Sequence, residues 1–220
     1  MSFIFANDPP RSMTHRAFYR ACQWVILILF RLFLGLRYRY ADRMSVPGGV
    51  LICPNHFSHL DPMVVGCITG RRVNFLAKKA LFKNKWFSRV LYALDCIPID
   101  REATGIGGMK DTLKKLKKGE PVVLFPEGER SLTGELLPLM TGFTALVKRL
   151  KIPIVPVGIH GTYEAWPRGT GMPKMGRVKT IIGEPIQFSE MASMTQQEMA
   201  DYVGQKIAEC YREAKDWNQA

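Results

Sequence analysis

The chain has 220 residues, of which 47% are hydrophobic and 23% are charged. At roughly 150 residues per domain, this length predicts one domain or one domain with an appendage. The composition excludes a disordered chain and an ordinary multi-span membrane protein. Lysine and arginine number 31 against 19 acidic residues, a formal net charge of +12. Such an excess attracts polyanions: nucleic acid, an anionic membrane surface or phosphorylated ligands.

An apolar stretch near the N-terminus, WVILILFRLFLGL at residues 24–36, is a candidate membrane segment. As a helix rising about 1.5 Å per residue it would cover about 20 Å, less than the roughly 30 Å hydrocarbon core of a bilayer. Extended back to residue 16, the helix places its polar side chains on one stripe: Arg16, Arg20, Gln23 and Arg31. We expect residues 1–36 to lie in the membrane interface, with the arginines against lipid phosphates. A helix packed on its own domain and a true membrane span are the alternatives, and no cleavable signal peptide is apparent.

The cysteines favour a reducing compartment. They are odd in number and include no C-x-x-C pair, and most have apolar neighbours: Cys22, Cys53, Cys67, Cys96 and Cys210. This pattern is typical of free buried thiols rather than of a disulfide scaffold or a zinc ribbon.

Continuous apolar runs alternate with helical patterns along the rest of the chain. A short basic strand should follow the N-terminal helix, and further strands are predicted at residues 50–53, 73–77, 96–99, 121–125, 152–159 and 178–182. Helices are predicted at residues 63–68, 85–94, 107–118, 143–150 and 195 to about 215. This alternation predicts a single α/β domain with a largely parallel or mixed central sheet flanked by helices. Ligands of such sheets bind at the carboxyl ends of the strands.

His56 and Asp61 stand at the turn after the first long apolar strand, in CPNHFSHLDP. Asp61 followed by Pro62 is typical of a helix start with Asp61 as the N-cap. The turn can fold the carboxylate back towards the imidazole, which leaves the second ring nitrogen to accept a proton. A helix cap beside an ordinary loop histidine is the alternative interpretation. The spacing of His56, His59 and Asp61 matches no standard zinc pattern, so we expect no metal.

Three further strand ends carry residues suited to ligand binding. FPEGERS contains Gly128, which permits a tight turn, and Arg130, a planar donor suited to phosphate. IPIDR ends in Arg101, and IPIVPVGI carries Pro156 inside an apolar strand. Taken singly, these are equally well a solvated turn, a surface charge pair and an edge strand or bulge.

NHFSHLD, IPIDR, FPEGERS and VPVGI, taken in this order, resemble the four-block signature of the glycerolipid acyltransferases. These are the PlsC-like 1-acylglycerol-3-phosphate O-acyltransferases, with their H-x4-D motif. The resemblance runs from about residue 38 to residue 185, and it includes FLAKKALF at residues 75–82, which is similar to the family's lysine-bearing segment. It implies an acyltransferase domain over residues 37–220. That domain would move a fatty acyl group from an acyl-CoA or acyl-carrier-protein thioester to a lysophospholipid hydroxyl, first of all that of 1-acylglycerol-3-phosphate, giving phosphatidic acid.

The resemblance also implies a role for each matching residue. His56 would be the general base, and Asp61 would orient it and stabilise its imidazolium. Arg101 and Arg130 would hold the acceptor phosphate, and the strand of Pro156 would wall the acyl pocket. The residues implied for substrate binding are Lys78, Arg101, Glu127, Gly128 and Arg130. The acyl thioester is a co-substrate, and no cofactor and no acyl-enzyme on cysteine are implied.

One residue departs from the family pattern: Glu129 stands where the family usually has threonine. A carboxylate beside a phosphate site is unfavourable unless it points away or pairs with a cation such as Arg130. A different lysophospholipid or an amino-acid lipid is therefore an alternative acceptor.

The basic residues are crowded in two stretches, residues 71–89 and 110–118. They are interpreted either as solvated helix faces or as contacts with anionic lipid head groups or with an acidic acyl donor such as acyl carrier protein. A non-catalytic basic module that binds membrane or nucleic acid is the alternative of another class. It would leave the His56 turn without a role, and we expect no nucleic-acid partner. The expected location is the cytoplasmic face of the membrane, the inner membrane if the protein is bacterial.

Overall fold

A seven-stranded mixed sheet forms the centre of the computed structural model, which describes residues 12–99 and 106–217. The strands in chain order are β1 (Arg37–Arg39), β2 (Leu51–Pro54), β3 (Asn74–Lys78), β4 (Cys96–Ile99), β5 (Val122–Val123), β6 (Ile154–His160) and β7 (Lys179–Ile182). Across the sheet they run β1-β7-β6-β2-β5-β3-β4, and every pair is parallel except β6 with β7. The predicted α/β class and the short basic strand are confirmed.

Helices cover both faces of the sheet. They are α1 (Met13–Leu34), α2 (Asp61–Ile68), α3 (Lys85–Ala93), α4 (Ile106–Lys117), α5 (Gly142–Leu150), α6 (Thr162–Ala165), α7 (Phe188–Met191) and α8 (Gln196–Asp216). Two short 3-10 helices span Ala41–Met44 and Lys79–Lys83. The helix pattern of the sequence predicted α2, α3, α4, α5 and α8. At the start of α8, Thr195 and Glu198 form the expected capping box, each side chain bonding the backbone N–H of the other residue.

The strands are continuous apolar runs because the sheet is covered on both sides. In β2 the side chains alternate between the two cores: Ile52 packs with α1 and α2, and Leu51 and Cys53 pack with α5 and α8. All four residues of this strand are buried. Burial on both faces fixes the position of β2, and with it the turn that follows.

Helix α8 lies directly across β6. Gly158 makes this close approach possible, because a Cβ at this position would collide with the backbone of Cys210 and Tyr211. Helix α8, which has 21 residues, therefore packs closely against β6, the strand next to β2.

The N-terminal helix packs on the domain through the stripe that the sequence analysis assigned to lipid phosphates. Gln23 donates from Nε2 to the carbonyl oxygens of Gly66 and Thr69, at 2.8 and 3.3 Å. Leu27, on the same stripe, is buried, and the nearby Tyr19 hydroxyl bonds the backbone of Val73. This part of the stripe packs on the domain, as the alternative interpretation expected, so the lipid assignment is wrong for Gln23 and Leu27. Contact of the three arginines with lipid phosphates stays a prediction. Gln23 satisfies carbonyl groups near the end of α2, which the sequence does not reveal.

The opposite side of α1 carries large apolar side chains that are about half exposed or more. They are Phe18, Trp24, Val25, Ile28, Leu29, Leu32 and Phe33. Among the described residues, α1 is the single helix long and apolar enough to cross a membrane by length and composition, and only 17% of its most apolar window is buried. The predicted N-terminal apolar helix is present, and the division of the chain at residue 36 stays a prediction.

Two arginines of the first basic stretch are structural. Arg72 donates from Nε and Nη2 to Oδ2 of Asp95 at 3.0 and 2.7 Å, and both residues are buried. Arg71 is also buried and donates to the carbonyl oxygens of Gly48 and Gly119. The interpretation of this stretch as one lipid-facing patch is wrong for these two side chains.

Candidate active site

The turn that carries His56 leaves the carboxyl end of β2 between β5 and β6. Asn55 holds it to β6: its Nδ2 donates to the carbonyl oxygen of Ile159 at 2.9 Å, and its Oδ1 accepts the N–H of Ile159 at 2.7 Å. Asn55 is completely buried, so this pair of bonds is shielded from water. The side chain thus continues the β2–β6 pairing beyond the end of the strand. The sequence analysis did not single out Asn55.

Asp61 and His56 are in contact. Oδ2 of Asp61 lies 2.9 Å from Nδ1 of His56, and the two side chains are 0% and 11% exposed. The same oxygen accepts the backbone N–H groups of Phe57 and Ser58, both at 2.7 Å. With Nδ1 donating to the carboxylate, a neutral His56 carries its lone pair on Nε2, which can then accept a proton.

Asp61 is not the N-cap that the sequence suggested. Leu60 occupies the N-cap position of α2, without a side-chain hydrogen bond, and Asp61 is the first helical residue. Its carboxylate turns back to bond the N–H groups of the preceding turn instead. The chemical consequence that was predicted, a carboxylate on the imidazole, is nevertheless present.

The imidazole is also held by the loop that follows β5. Phe125 stacks on His56 with ring centroids 4.0 Å apart and planes inclined by 25°. The backbone of His56 is bonded on both sides, because its N–H donates to Oε1 of Glu127 at 2.9 Å and its carbonyl accepts the N–H of Ser131 at 2.9 Å. Two loops that are distant in sequence therefore position one histidine.

The Glu127 side chain is buried and bonds the backbone. Its second oxygen accepts the N–H of Leu137 at 3.3 Å, and the residue is only 5% exposed. The structure therefore gives its carboxyl a backbone-holding position, and the substrate-binding role that the resemblance implied stays a prediction. Burial raises the pKa of Glu127 to about 8, against the opposing effect of the His56 and Leu137 N–H bonds, and the charge of Asp61 adds to the rise.

Gly128, the residue after Glu127, allows the loop to make a tight turn beside His56. Gly128 has a φ of +78°, and a Cβ there would collide with Sδ of Met140. A side chain would be strained in this left-handed conformation, so glycine is required by the path of the loop.

Glu129 forms an ion pair with Arg168. Nη1 of Arg168 lies 3.0 Å from Oε2 of Glu129 and donates to the carbonyl oxygen of Arg130 at 3.1 Å. The two side chains are 64% and 37% exposed for Glu129 and Arg168, respectively. The carboxylate therefore pairs with a cation, as expected, but this cation, Arg168, was not singled out because it lies 39 positions away in the sequence.

His59, in the same turn as His56, is influenced by cationic groups. Partial burial of the His59 ring lowers its pKa, and the positive charges of Arg130 and Lys78 lower it further, against the opposing charge of Asp61. Lys78 is exposed at the carboxyl end of β3, and Arg130 is partly buried. That Lys78 and Arg130 bind the substrate stays a prediction. Arg101, the other predicted phosphate ligand, lies outside the described residues.

The thiols are unsuited to nucleophilic attack. All five cysteines are free, and burial raises the pKa of each: Cys22, Cys53, Cys67, Cys96 and Cys210. A protonated, buried thiol is a poor nucleophile. Across residues 12–99 and 106–217, no three His, Cys, Asp or Glu side chains are grouped as metal ligands would be. That the protein needs no metal stays a prediction.

A family model described as Acyltransferase matches residues 36–160, which include the His56 turn and the Glu127 loop. The chain belongs to this acyltransferase family. It is therefore an enzyme that transfers acyl groups, as the sequence predicted.

Named relatives and a solved structure agree with this assignment. The chain is 31% identical over 196 residues to the 1-acyl-sn-glycerol-3-phosphate acyltransferase of Bacillus subtilis, covering 87% of this chain and 96% of that protein. It is 29% identical to the chloroplastic enzyme BAT2 of Brassica napus, over 70% of this chain and 44% of that longer protein. The crystal structure of the LPA acyltransferase PlsC from Thermotoga maritima has the same fold, with a TM-score of 0.81 at 20% identity, over 97% of this chain and 85% of that one.

Proposed function

We propose that this acyltransferase moves a fatty acyl group from an acyl-CoA or acyl-carrier-protein thioester to the free hydroxyl of 1-acylglycerol-3-phosphate. The product would be phosphatidic acid, made for phospholipid synthesis. The observation that carries the proposal is the buried contact between Asp61 Oδ2 and His56 Nδ1 at 2.9 Å. The Bacillus subtilis relative is named a 1-acyl-sn-glycerol-3-phosphate acyltransferase, which supports the choice of acceptor.

The chemistry follows from the orientation of the imidazole. Nε2 of His56 removes the proton of the acceptor hydroxyl as its oxygen attacks the thioester carbonyl. Asp61 stabilises the imidazolium that forms, because its charge lies against the protonated Nδ1. Collapse of the tetrahedral intermediate breaks the carbon–sulfur bond, and the thiol leaves with the proton that His56 returns. The acyl group passes directly from sulfur to oxygen, so no cysteine takes part.

The charges around the turn suit an acceptor with a phosphate. Arg130 directly precedes Ser131, whose N–H bonds the His56 carbonyl, and Lys78 ends β3 at the same edge of the sheet as the His56 turn. Guanidinium and ammonium groups are the usual phosphate ligands in proteins. We include Arg101 with them as a proposed ligand. The carboxylate of Glu129 does not oppose this assignment, since Arg168 pairs with it at 3.0 Å.

The lipid acceptor requires access to a membrane. We propose that the outward face of α1 enters the bilayer interface on the cytoplasmic side, where interfacial helices bury their apolar faces. The exposures of Trp24 at 54% and Leu32 at 69% support this assignment, since large apolar groups in water are unfavourable. The inward stripe, with Gln23 and Leu27, ties the domain to this anchor.

One incubation tests the proposed function. The purified chain is given labelled acyl-CoA, or acyl carrier protein carrying the same acyl group, together with a panel of lysolipids, and the products are identified by mass spectrometry. Formation of phosphatidic acid in preference to the other products is expected. Acylation of a different lysophospholipid or of an amino-acid lipid would instead identify the alternative acceptor.

A further inference from the structure

Residues 78–94 form a second exposed apolar surface, which we call the α3 surface. It consists of the end of β3, the 3-10 helix Lys79–Lys83 and helix α3. Neither of the two helices contributes a buried residue. On α3, Trp86 is 77% exposed, and Phe87 and Val90 are 47% and 44% exposed. At 3.6 residues per turn these three side chains share an arc of about 100°.

The helix is well formed even though it packs little. The Asn84 side chain accepts the N–H groups of Trp86 and Phe87 at 3.0 and 3.1 Å, so the first turn is capped. Tyr92 packs against Phe82 of the 3-10 helix, with ring centroids 5.0 Å apart. The aromatic face is thus presented by an ordered element, and its exposure is a property of the fold.

Within residues 78–94 every charged side chain is a cation. Residues 78–94 contain five basic side chains and no acidic one: Lys78, Lys79, Lys83, Lys85 and Arg89. The guanidinium of Arg89 lies 5.1 Å from the centre of the Trp86 ring. Aromatic side chains bordered by lysine and arginine are typical of surfaces that enter the head-group layer of anionic bilayers.

The sheet topology places the α3 surface on the same side as α1. The connections β2–α2–β3 and β3–α3–β4 run in the same direction across the sheet. Right-handed crossovers therefore put α2 and α3 on one face. Helix α1 packs on that face, where Leu27 and Leu34 join the core of α2. The exposed sides of α1 and α3 therefore lie on the same side of the sheet.

We propose that the α3 surface is a second membrane contact, which binds anionic lipid and, together with α1, sets the orientation of the catalytic turn towards the bilayer. This inference depends on the proposed function, because it requires that the enzyme acts on a lipid at a membrane. Two separated contacts fix the orientation of the protein relative to the membrane plane, which one helix alone does not. The carboxyl ends of the strands, with His56, then keep a fixed position relative to the lipid surface.

Matched variants test the charge component. Lys83→Gln with Lys85→Gln removes two cations of the α3 surface, and Lys117→Gln with Lys118→Gln removes two exposed cations at the end of α4, which packs on the other face of the sheet. At about fivefold per cation near a charged surface, the first pair should weaken sedimentation with phosphatidylglycerol–phosphatidylcholine vesicles by about 25-fold. The α4 pair should change it by less than about twofold. Equal losses in both pairs would overturn the proposal, because charge alone would then explain binding.

The aromatic component is read from fluorescence. Trp86→Phe is compared with the unchanged protein on vesicles containing brominated lipid, so that the difference in emission reports Trp86. Quenching of that difference signal is expected. An unquenched Trp86 on a protein that is bound to vesicles would refute the contact. Trp86→Ser with Phe87→Ser should lower binding by about tenfold with an unchanged unfolding midpoint.

The same variants distinguish two other occupants of the α3 surface, a second copy of the chain and acyl carrier protein. If Trp86→Ser converts a dimer into a monomer in light scattering, or abolishes binding of acyl carrier protein while vesicle binding is unchanged, the surface binds protein and the proposal is wrong. Acyl transfer by the unchanged enzyme with substrates in detergent is measured separately. Absence of acyl transfer in detergent would refute the proposed function, and it would leave the result on vesicle binding unchanged.

Discussion

Oδ2 of Asp61 lies 2.9 Å from Nδ1 of His56 while the same oxygen accepts the backbone N–H groups of two residues between them. One carboxylate oxygen therefore shapes the turn and orients the imidazole at the same time. Because the Asp61 side chain is completely buried, its charge is poorly screened and acts strongly on a protonated His56. The position of the base and the stability of the turn depend on the same group.

Replacing Asp61 separates these two effects. Asp61→Asn keeps an oxygen that can accept the N–H groups of Phe57 and Ser58, but it removes the charge that stabilises the imidazolium. We expect kcat for acyl transfer to fall by at least about 10²-fold. Steady-state kinetics with an acyl thioester and lysophosphatidate measure this loss.

Asp61→Ala is the matched control, because it also removes the acceptor. It should lower the unfolding free energy by about 1–3 kcal/mol for each N–H group left unbonded, an amount that Asp61→Asn should largely spare. Full activity of Asp61→Asn would contradict the assigned role of the carboxylate.

Glu127 should make the stability of the protein depend on pH. Its pKa rises from 4.5 in the unfolded chain to about 8 in the folded protein, so the folded state binds the proton more tightly. The stability that this group contributes is complete below pH 4.5, and it is lost as the pH rises towards 8. Glu127→Gln, which does not titrate, should flatten this part of the curve in thermal melts taken between pH 5 and about 8. Identical pH dependence in both proteins would show that Glu127 has no raised pKa.

The pair Glu129–Arg168 predicts unequal effects when each member is replaced. Because Arg168 already compensates the carboxylate, Glu129→Thr should change kcat/KM for a phosphate-bearing acceptor by less than about fivefold, as for an exposed ion pair. Arg168→Gln leaves the carboxylate of Glu129 beside the acceptor site, and the KM for lysophosphatidate should rise. An acceptor without net charge serves as the reference. A large gain on Glu129→Thr would show that the carboxylate repels the acceptor despite its partner.

The two sides of α1 should respond differently to substitution. Trp24→Ser with Ile28→Ser changes only exposed positions, so vesicle binding should fall while the unfolding midpoint stays nearly constant. Leu27→Ala removes a buried side chain and should destabilise the protein by about 2–5 kcal/mol. Vesicle sedimentation and thermal denaturation distinguish these outcomes. Unchanged sedimentation of the double variant would mean that α1 is not the anchor.

The fold was largely predictable because its signals are local. Strands covered on both faces are continuous apolar runs, and the helices between them carry a regular apolar stripe, as β2 and α8 do. The strand at β5 is shorter than predicted, two residues rather than five, although Pro121 and Leu124 on either side of it still bond the backbones of Asn74 and Ile52. An apolar run indicates burial and says little about where pairing ends.

The parts of the site that were missed depend on distant partners. The residues near Glu129 in the sequence do not indicate its ion pair with Arg168. Arg72 and Asp95 are likewise distant in sequence, and the fold brings them together in a buried ion pair. Glu127 binds backbone N–H groups, which have no signature in the sequence. The polar stripe of α1 was assigned to lipid because a periodic pattern shows that a helix has two faces and does not say which one meets the protein.

The most direct test of this account is acyl transfer by His56→Ala with lysophosphatidate and an acyl thioester, beside the unchanged enzyme. The account predicts a loss of at least about 10²-fold in kcat, the low end for a positioned general base, with an intact circular dichroism spectrum. Turnover close to that of the unchanged enzyme would contradict it.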